Sequence, residues 1–246
     1  VDGVVIALKT RTQETAHAVA DSLAALRFLQ AQGVTQFYLK YCSTFDSTPQ
    51  GNIGPIADAV LDALGQPYTL LCPALPENGR TVREGVLYVK GVPLAESPMK
   101  NHPLTPMWDS RIPELMRSQS RYGCIVWPRS RWAEALPGRK QRFYLVPDYE
   151  TAADGAVLVE RFGALPLLTG GSGLLEPLAK KRCPHPEAAS AGVDGTMGPA
   201  LLLAGSCSAA TREQIEVHKA AGGRTLRLDP LALLEGRTSA EALWEA

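Results

Sequence analysis

"VTQFYLKYCSTFDSTPQGNIGPIADAVLDALGQPYTLLCPA" (residues 34–74) holds one architectural unit from end to end. It begins with the apolar run VTQFYLK and continues through the polar loop KYCSTFDSTPQGNIGP (40–55). It then passes into IGPIADAVLDALG, where apolar residues recur at helical spacing, and closes on YTLLCPA (68–74), which reads as a buried strand. Strand, loop, helix and strand in that order make a βαβ crossover, the repeating unit of a mostly parallel sheet flanked by helices.

The same rhythm extends in both directions. Upstream, GVVIALK (3–9) reads as a buried strand. Glu14 to Gln32 follow with an apolar stripe at Val19, Leu23, Leu26 and Leu29, and Gly33 is placed to cap that helix. Downstream, GVLYVKGVPL (85–94) alternates around Lys90-Gly91 and predicts a β-hairpin. SRIPELMRSQS predicts a helix, YGCIVW and RFYLVP predict strands, and ALPLLTGGSGL predicts a strand ending in a glycine-rich turn. The span 128–142 is too short for a good crossover helix between its two strands, so a missing stretch is expected there.

Residues 180–199 have the Pro, Gly, Ala and Ser character of a linker. The organisation expected is therefore a domain at 1–179, the linker at 180–199, and the beginning of a second α/β domain at 200–246. Residues 200–228 predict one strand–loop–helix–strand unit of that second domain. The chain starts inside a strand-like run without Met and stops in a helical pattern, so both ends read as cut.

Composition narrows the function classes. Lys+Arg and Asp+Glu number 25 each in 246 residues, which gives no field of one sign for nucleic acid or an anionic membrane. No apolar run approaches the roughly 20 residues that span a bilayer, and no signal peptide is recognisable. The five cysteines (42, 72, 124, 183, 207) form no CxxC pair, which argues against structural zinc and a disulfide framework and for a reducing cytoplasm. The four scattered histidines offer no metal-ligand spacing. His17 and His218 read as surface positions on helices, whereas the prolines around His102 hold it in a fixed segment.

In open α/β sheets ligands bind beyond the carboxyl ends of the strands. Four loops are expected there: one with Lys9 and Arg11, the loop 40–55, TGGSG (169–173) and AGSCSAAT (204–211). Small residues with unused backbone N–H groups suit phosphate, and hydroxyls with a basic residue suit a polyhydroxylated anion. Each loop also has a plainer reading. Glycine turns connect elements, Arg11 can be a solvated charge, and Ser206 and Ser208 can be N-caps. Loop 40–55 carries more polar groups than a turn requires. There is no Walker loop, no nucleophile elbow, and no Arg at phosphatase spacing after Cys42.

KYCSTFDSTPQGNIGPIADAVLDALG, CPALPENGRTVREGVLYVKGVPLAESPMKNHPLTPMWDS, LLTGGSGL and LLAGSCSAATREQ, in this order, resemble the four-carbon acid sugar kinase family, and the first two most resemble its 3-oxo-tetronate kinase branch. The resemblance implies an ATP-dependent kinase that phosphorylates the terminal (C4) hydroxyl of a four-carbon sugar acid, with Mg²⁺ accompanying ATP. It implies an amino-terminal domain that holds the acid and a carboxy-terminal domain that holds most of the nucleotide. On that pattern Arg11, Lys40, Ser43, Thr44 and Asp46 fall at the acid, and Ser206 and Ser208 fall where nucleotide contacts begin. Gly171, Ser172 and Gly173 would offer N–H groups to phosphate oxygens. Arg11 or Lys40 would pair with the substrate carboxylate, Ser43 and Thr44 would read hydroxyls, and Asp46 would accept the hydroxyl proton. The family's Asp-Asp-Phe-Thr-Gly stretch and its later glycine-rich loop lie outside residues 1–246, so the identity of the base stays open. The partners implied are the acid and ATP, with no nucleic acid and no membrane, and a homo-oligomer left open. The rival reading is a non-catalytic or degenerate module that binds a sugar acid.

Overall fold

Glu14 opens the first helix, α1 (Thr15–Ala31), by accepting from the backbone N–H groups of Ala16 and His17 at 3.0 Å each. Leu26 of its predicted stripe is buried, with Val19, Leu23 and Leu29 packed against the same core. Gly33 follows at φ +80°, a backbone region that costs glycine nothing. The computed structural model describes residues 3–136, 138, 140–183, 201–205 and 208–245.

The unit quoted above folds as its pattern dictates. β1 (Phe37–Lys40), α2 (Ile53–Ala63) and β2 (Tyr68–Cys72) form the crossover. β6 (Gly123–Trp127), β7 (Phe143–Pro147) and β8 (Leu167–Gly170) complete a sheet in the order β1-β8-β2-β7-β6, and every pairing in it is parallel. Its central strands are apolar on both faces: Leu70, Leu71, Leu145, Val146, Leu167 and Leu168 are all buried, as expected of a parallel sheet covered by helices. α4 (Ala152–Phe162) starts with a capping box between Thr151 and Asp154 and buries Leu158, Val159 and Phe162.

The predicted hairpin is part of a larger meander. β3 (Arg80–Arg83), β4 (Val86–Val89) and β5 (Val92–Pro93) form a separate antiparallel sheet. Lys90 and Gly91 both take positive φ (51° and 80°), as the two-residue turn requires, and Glu84-Gly85 repeat the device at 50° and 78°. α3 (Ile112–Arg117) and α5 (Leu175–Arg182) complete the helices of this unit.

Two expectations need correction. Residues 3–9 form no strand, and Val4, Val5 and Leu8 are exposed. β1 is the edge of the sheet, and no described strand offers the segment a ladder. The span 128–142 joins the parallel neighbours β6 and β7, and its described residues include the short turn Arg129–Arg131. It is pinned from outside: the Arg129 N–H donates to Asp148, the Trp132 indole donates to the Trp127 carbonyl, and Arg161 donates to the carbonyls of Trp132 and Glu134.

The second correction lies in the second of the two units into which the chain divides, 1–188 and 189–246. There 201–205 and 224–228 form no strands, and Leu201, Leu202, Leu203, Leu226 and Leu228 are exposed. An isolated strand has no stability without a partner, and none is described in that unit. It contributes α6 (Ala209–Ala220), α7 (Pro230–Leu234) and α8 (Ala240–Glu245). Helix α5 runs through Arg182, so the expected linker begins helical, and 184–200 lie outside the described residues.

Candidate functional site

The carboxyl ends of β1, β8 and β2 lie side by side, with Gly170 in register with both Lys40 and Cys72. Loop 40–55 and the glycine turn after β8 therefore leave the sheet together. Lys40 is exposed at that edge. Tyr41 donates its hydroxyl to Thr169 at 3.2 Å, because the Thr169 proton is already given to the Leu70 carbonyl at 2.6 Å. Burial pushes the Tyr41 phenol well above its usual value, so it stays a neutral donor.

Beyond Tyr41 the loop turns inward. The Phe45 N–H donates to the Cys42 carbonyl at 3.0 Å, and Phe45 itself sits at φ +61° with its side chain fully buried and edge-on to Tyr41. On either side of it, Thr44 and Asp46 are buried as well (4% and 6% exposed). The Thr44 hydroxyl donates to Asp46 Oδ1 at 2.6 Å. That uses its only proton, so the Cys42 thiol, 3.1 Å away, is the donor to Thr44. Thr44 is thus a support for the Asp46 carboxylate, where the sequence had suggested a reader of sugar hydroxyls.

Arg11 approaches Asp46 from the other side, with Nη1 3.3 Å from Oδ2. The arginine is 54% exposed and the aspartate 6%. The guanidinium is thus anchored on a buried carboxylate while about half of the arginine side chain stays exposed to solvent. Arg11 reaches this place although residues 3–9 are not a strand. What brings it there is Asn52, whose amide donates to the carbonyls of Thr10 and Gln13 and whose oxygen accepts from Thr15. The far end of the loop is held by Gln119, which accepts from the Ser47 hydroxyl at 2.9 Å and the Gly54 N–H at 3.3 Å. Asn52 and Gln119 were not legible as site residues, because their partners lie tens of positions away in sequence and no local pattern reports them.

The glycine turn is built for close approach. A Cβ on Gly170, Gly171 or Gly173 would run into the carbonyls of Cys72, Pro73 and Ala74 respectively. The Gly171 N–H donates to the Cys72 carbonyl, and the carbonyls of Gly171 and Gly173 accept from Tyr38 and Tyr149. Gly171 therefore has no backbone N–H left for a phosphate. Ser172 is exposed. Ser43 is half-buried, its Cα 3.4 Å from where a Gly171 Cβ would stand, so the two loops touch.

Ser208 caps α6 by accepting from the Thr211 N–H at 3.1 Å, while Ser206 and Cys207 lie outside the described residues. His102 accepts from the N–H and hydroxyl of Thr105, which accounts for its fixed segment as a local turn. His17 and His218 are exposed, as expected. Burial pushes the Cys72 and Cys124 thiols up to about 12. Among the described residues no group of three or more His, Cys, Asp or Glu could hold a metal ion, and no helix is long and apolar enough to cross a membrane.

Residues 1–178 match the model of a family described as the sugar-binding N-terminal domain. The chain belongs to that family. Over 98% of its length it is 42% identical to a 3-oxo-tetronate kinase of Cupriavidus necator, and it spans 59% of that relative. The crystal structure of Haemophilus influenzae protein HI1011 is 38% identical and superposes with a TM-score of 0.72, covering 87% of this chain and 54% of that one. A Bordetella bronchiseptica protein, solved as a domain-swapped dimer with bound citrate, is 28% identical with a TM-score of 0.58, covering 90% and 53%. The likeness to the 3-oxo-tetronate kinase branch drawn from the four motifs is thus borne out, and so is the parallel α/β architecture. The sugar-binding domain includes Arg11, Lys40, loop 40–55 and the glycine turn. The chain spans a little over half the length of the curated relatives it matches.

Proposed function

We propose that residues 1–179 hold a four-carbon sugar acid and present its terminal hydroxyl for phosphorylation, as part of an ATP-dependent 3-oxo-tetronate-type kinase. The observation that carries this is the pairing of half-exposed Arg11 with buried, Thr44-supported Asp46 at the strand ends. A half-exposed arginine fork is suited to a carboxylate, and Lys40 at the end of β1 adds a second cation. The citrate found in the Bordetella relative is a hydroxylated carboxylate too. Asp46 is the group placed to accept a hydrogen bond from the substrate hydroxyl and to take its proton. Ser43, at the contact of the two loops, is the hydroxyl left to read the sugar.

ATP would supply the phosphoryl group, with Mg²⁺ neutralising its charge. Gly171 spends its N–H on the Cys72 carbonyl, which leaves Ser172 and Gly173 as the phosphate candidates of the glycine turn. The nucleotide role of 205–208 rests on the family resemblance, and no step is derived through it. A homo-oligomer belongs to the same reading, the Bordetella relative being a dimer. Calorimetric titration of the 246-residue chain with threonate and with ATP tests the division of labour. Threonate should bind the more tightly. ATP binding without detectable acid binding would overturn it.

A further inference from the structure

Asn52 is 5% exposed and stands at the start of α2, the usual place for a helix cap. It caps nothing. Its side chain makes no bond to the first turn of α2 and turns back across the chain instead. Nδ2 donates to the Thr10 carbonyl at 2.7 Å and to the Gln13 carbonyl at 2.8 Å, and Oδ1 accepts from the Thr15 hydroxyl at 2.8 Å. Both amide protons and the oxygen are spent on six consecutive residues.

Those residues, 10–15, form the turn that carries Arg11. The turn has few other means of keeping its place, because residues 3–9 before it pair with no strand. Thr15 begins α1, so the three bonds fix both the turn and the entry to the helix after it. Asn52 also lies six residues beyond Asp46 in a loop anchored by Phe45 and Gln119. One buried amide thereby sets the position of the turn with the guanidinium against the loop with the carboxylate.

We propose that Asn52 is a positioning residue for the acid site, holding Arg11 at the distance from Asp46 at which a substrate carboxylate can bridge to it. This rests on the sugar-acid reading above. An amide is the side chain that can do it: the two carbonyls need a donor with two protons, and the threonine hydroxyl needs an acceptor. Aspartate keeps the shape and the Thr15 contact, yet would set a carboxylate against two carbonyl oxygens. Alanine leaves both carbonyls without their donor in a largely water-excluded place.

The test compares Asn52→Ala, Asn52→Asp, Arg11→Ala and the Arg11→Ala/Asn52→Ala pair in the 246-residue chain, using threonate as titrant and following amide exchange over residues 10–17. Thr15→Val, which removes a single bond, serves as a milder variant should the Asn52 substitutions unfold the chain. Asn52→Ala is expected to weaken threonate about tenfold and to speed exchange in that turn, Asn52→Asp to do no better, and Thr15→Val to lie between. Because Asn52 acts through Arg11, the pair should bind no more weakly than Arg11→Ala alone. Additive losses, or faster exchange with undiminished affinity while Arg11→Ala weakens binding, overturn the positioning role. If Arg11→Ala and the unmodified chain bind threonate alike, the sugar-acid reading is what fails, and exchange then judges the clamp: unchanged exchange in Asn52→Ala overturns that too.

Discussion

Replacing Asp46 by Asn separates the chemistry assigned to this carboxylate from its part in the fold. The Thr44 hydroxyl donates to Oδ1 at 2.6 Å, and the amide oxygen of Asn can accept that bond unchanged. What is lost is the ion pair with Arg11 at 3.3 Å. In water two unit charges at such a distance attract by about 1 kcal/mol, and exposed pairs return roughly 0–1 kcal/mol after side-chain ordering. With Arg11 54% exposed, solvent screens the pair, and the stability lost should stay at or below about 1 kcal/mol. Asp46→Ala is the contrast, because it strands the buried Thr44 hydroxyl and should cost about 1–3 kcal/mol.

Function should respond in the opposite proportion. A positioned proton acceptor contributes about 10²- to 10⁴-fold, so on the proposed reading Asp46→Asn should lower phosphorylation by about that factor. Affinity for the acid should hold or improve, since Asp46 no longer competes with the substrate carboxylate for Arg11. The measurements are urea unfolding, calorimetric titration and a coupled ADP-release assay. Turnover within about threefold of the unmodified protein, far short of that range, would refute the base assignment. Loss of acid affinity alongside turnover would show Asp46 to be part of the binding surface instead.

Gly171→Ala should destabilise the chain by about 1–3 kcal/mol in urea unfolding, because its Cβ meets the Pro73 carbonyl; unchanged stability with lost ATP binding would restore the phosphate role. Cys42→Ser keeps a donor 3.1 Å from Thr44 and should leave acid binding and turnover near normal, whereas abolished turnover in a folded variant would point to a thiol in the chemistry. Burial would raise the Asp62 carboxyl, but the Tyr122 hydroxyl and the Arg121 guanidinium outweigh it and hold the group below its usual 3.8. A depressed folded value means stability that is present above the unfolded value and lost as pH falls through the folded one. Asp62→Asn should therefore flatten the acid limb of the stability curve below about pH 4 and barely change the neutral region; an acid limb as steep as before counts against this account.

What the sequence disclosed was local. The α2 pattern, the alternation around Lys90-Gly91 and the apolar runs of β2 and β7 each declare themselves within about ten residues, and each formed. The insertion of β8 between β1 and β2 did not show, because its register joins Lys40 to Gly170 across most of the domain. Residues 3–9 have the composition of a strand, but a ladder needs a neighbour as well as a pattern. In TGGSG the glycines are required because a side chain at 170, 171 or 173 would meet backbone carbonyls, a cause the sequence did not show. Lys40, Ser43 and Asp46 follow the end of β1, while the means of holding Arg11 there was invisible because Asn52 reaches across the chain to Thr10, Gln13 and Thr15.

Phe45 shows how the site and the core depend on each other. A non-glycine residue at φ +61° costs about 1–2 kcal/mol. The ring is fully buried, however, and burying a phenylalanine side chain returns about 1.5–3 kcal/mol. The balance lies with burial, so the core holds the unfavourable backbone in place. An ordinary extended residue at 45 would alternate sides with its neighbours and leave Thr44 and Asp46 without a fixed inward anchor between them. With Phe45 locked, the Thr44–Asp46 bond is set before any ligand arrives, and Arg11 has a fixed carboxylate to meet. Pre-organisation of the acid site therefore draws on the same apolar burial that stabilises the sheet. Loosening the core around Tyr41 and Phe45 should weaken acid binding even where no residue touching the acid has changed.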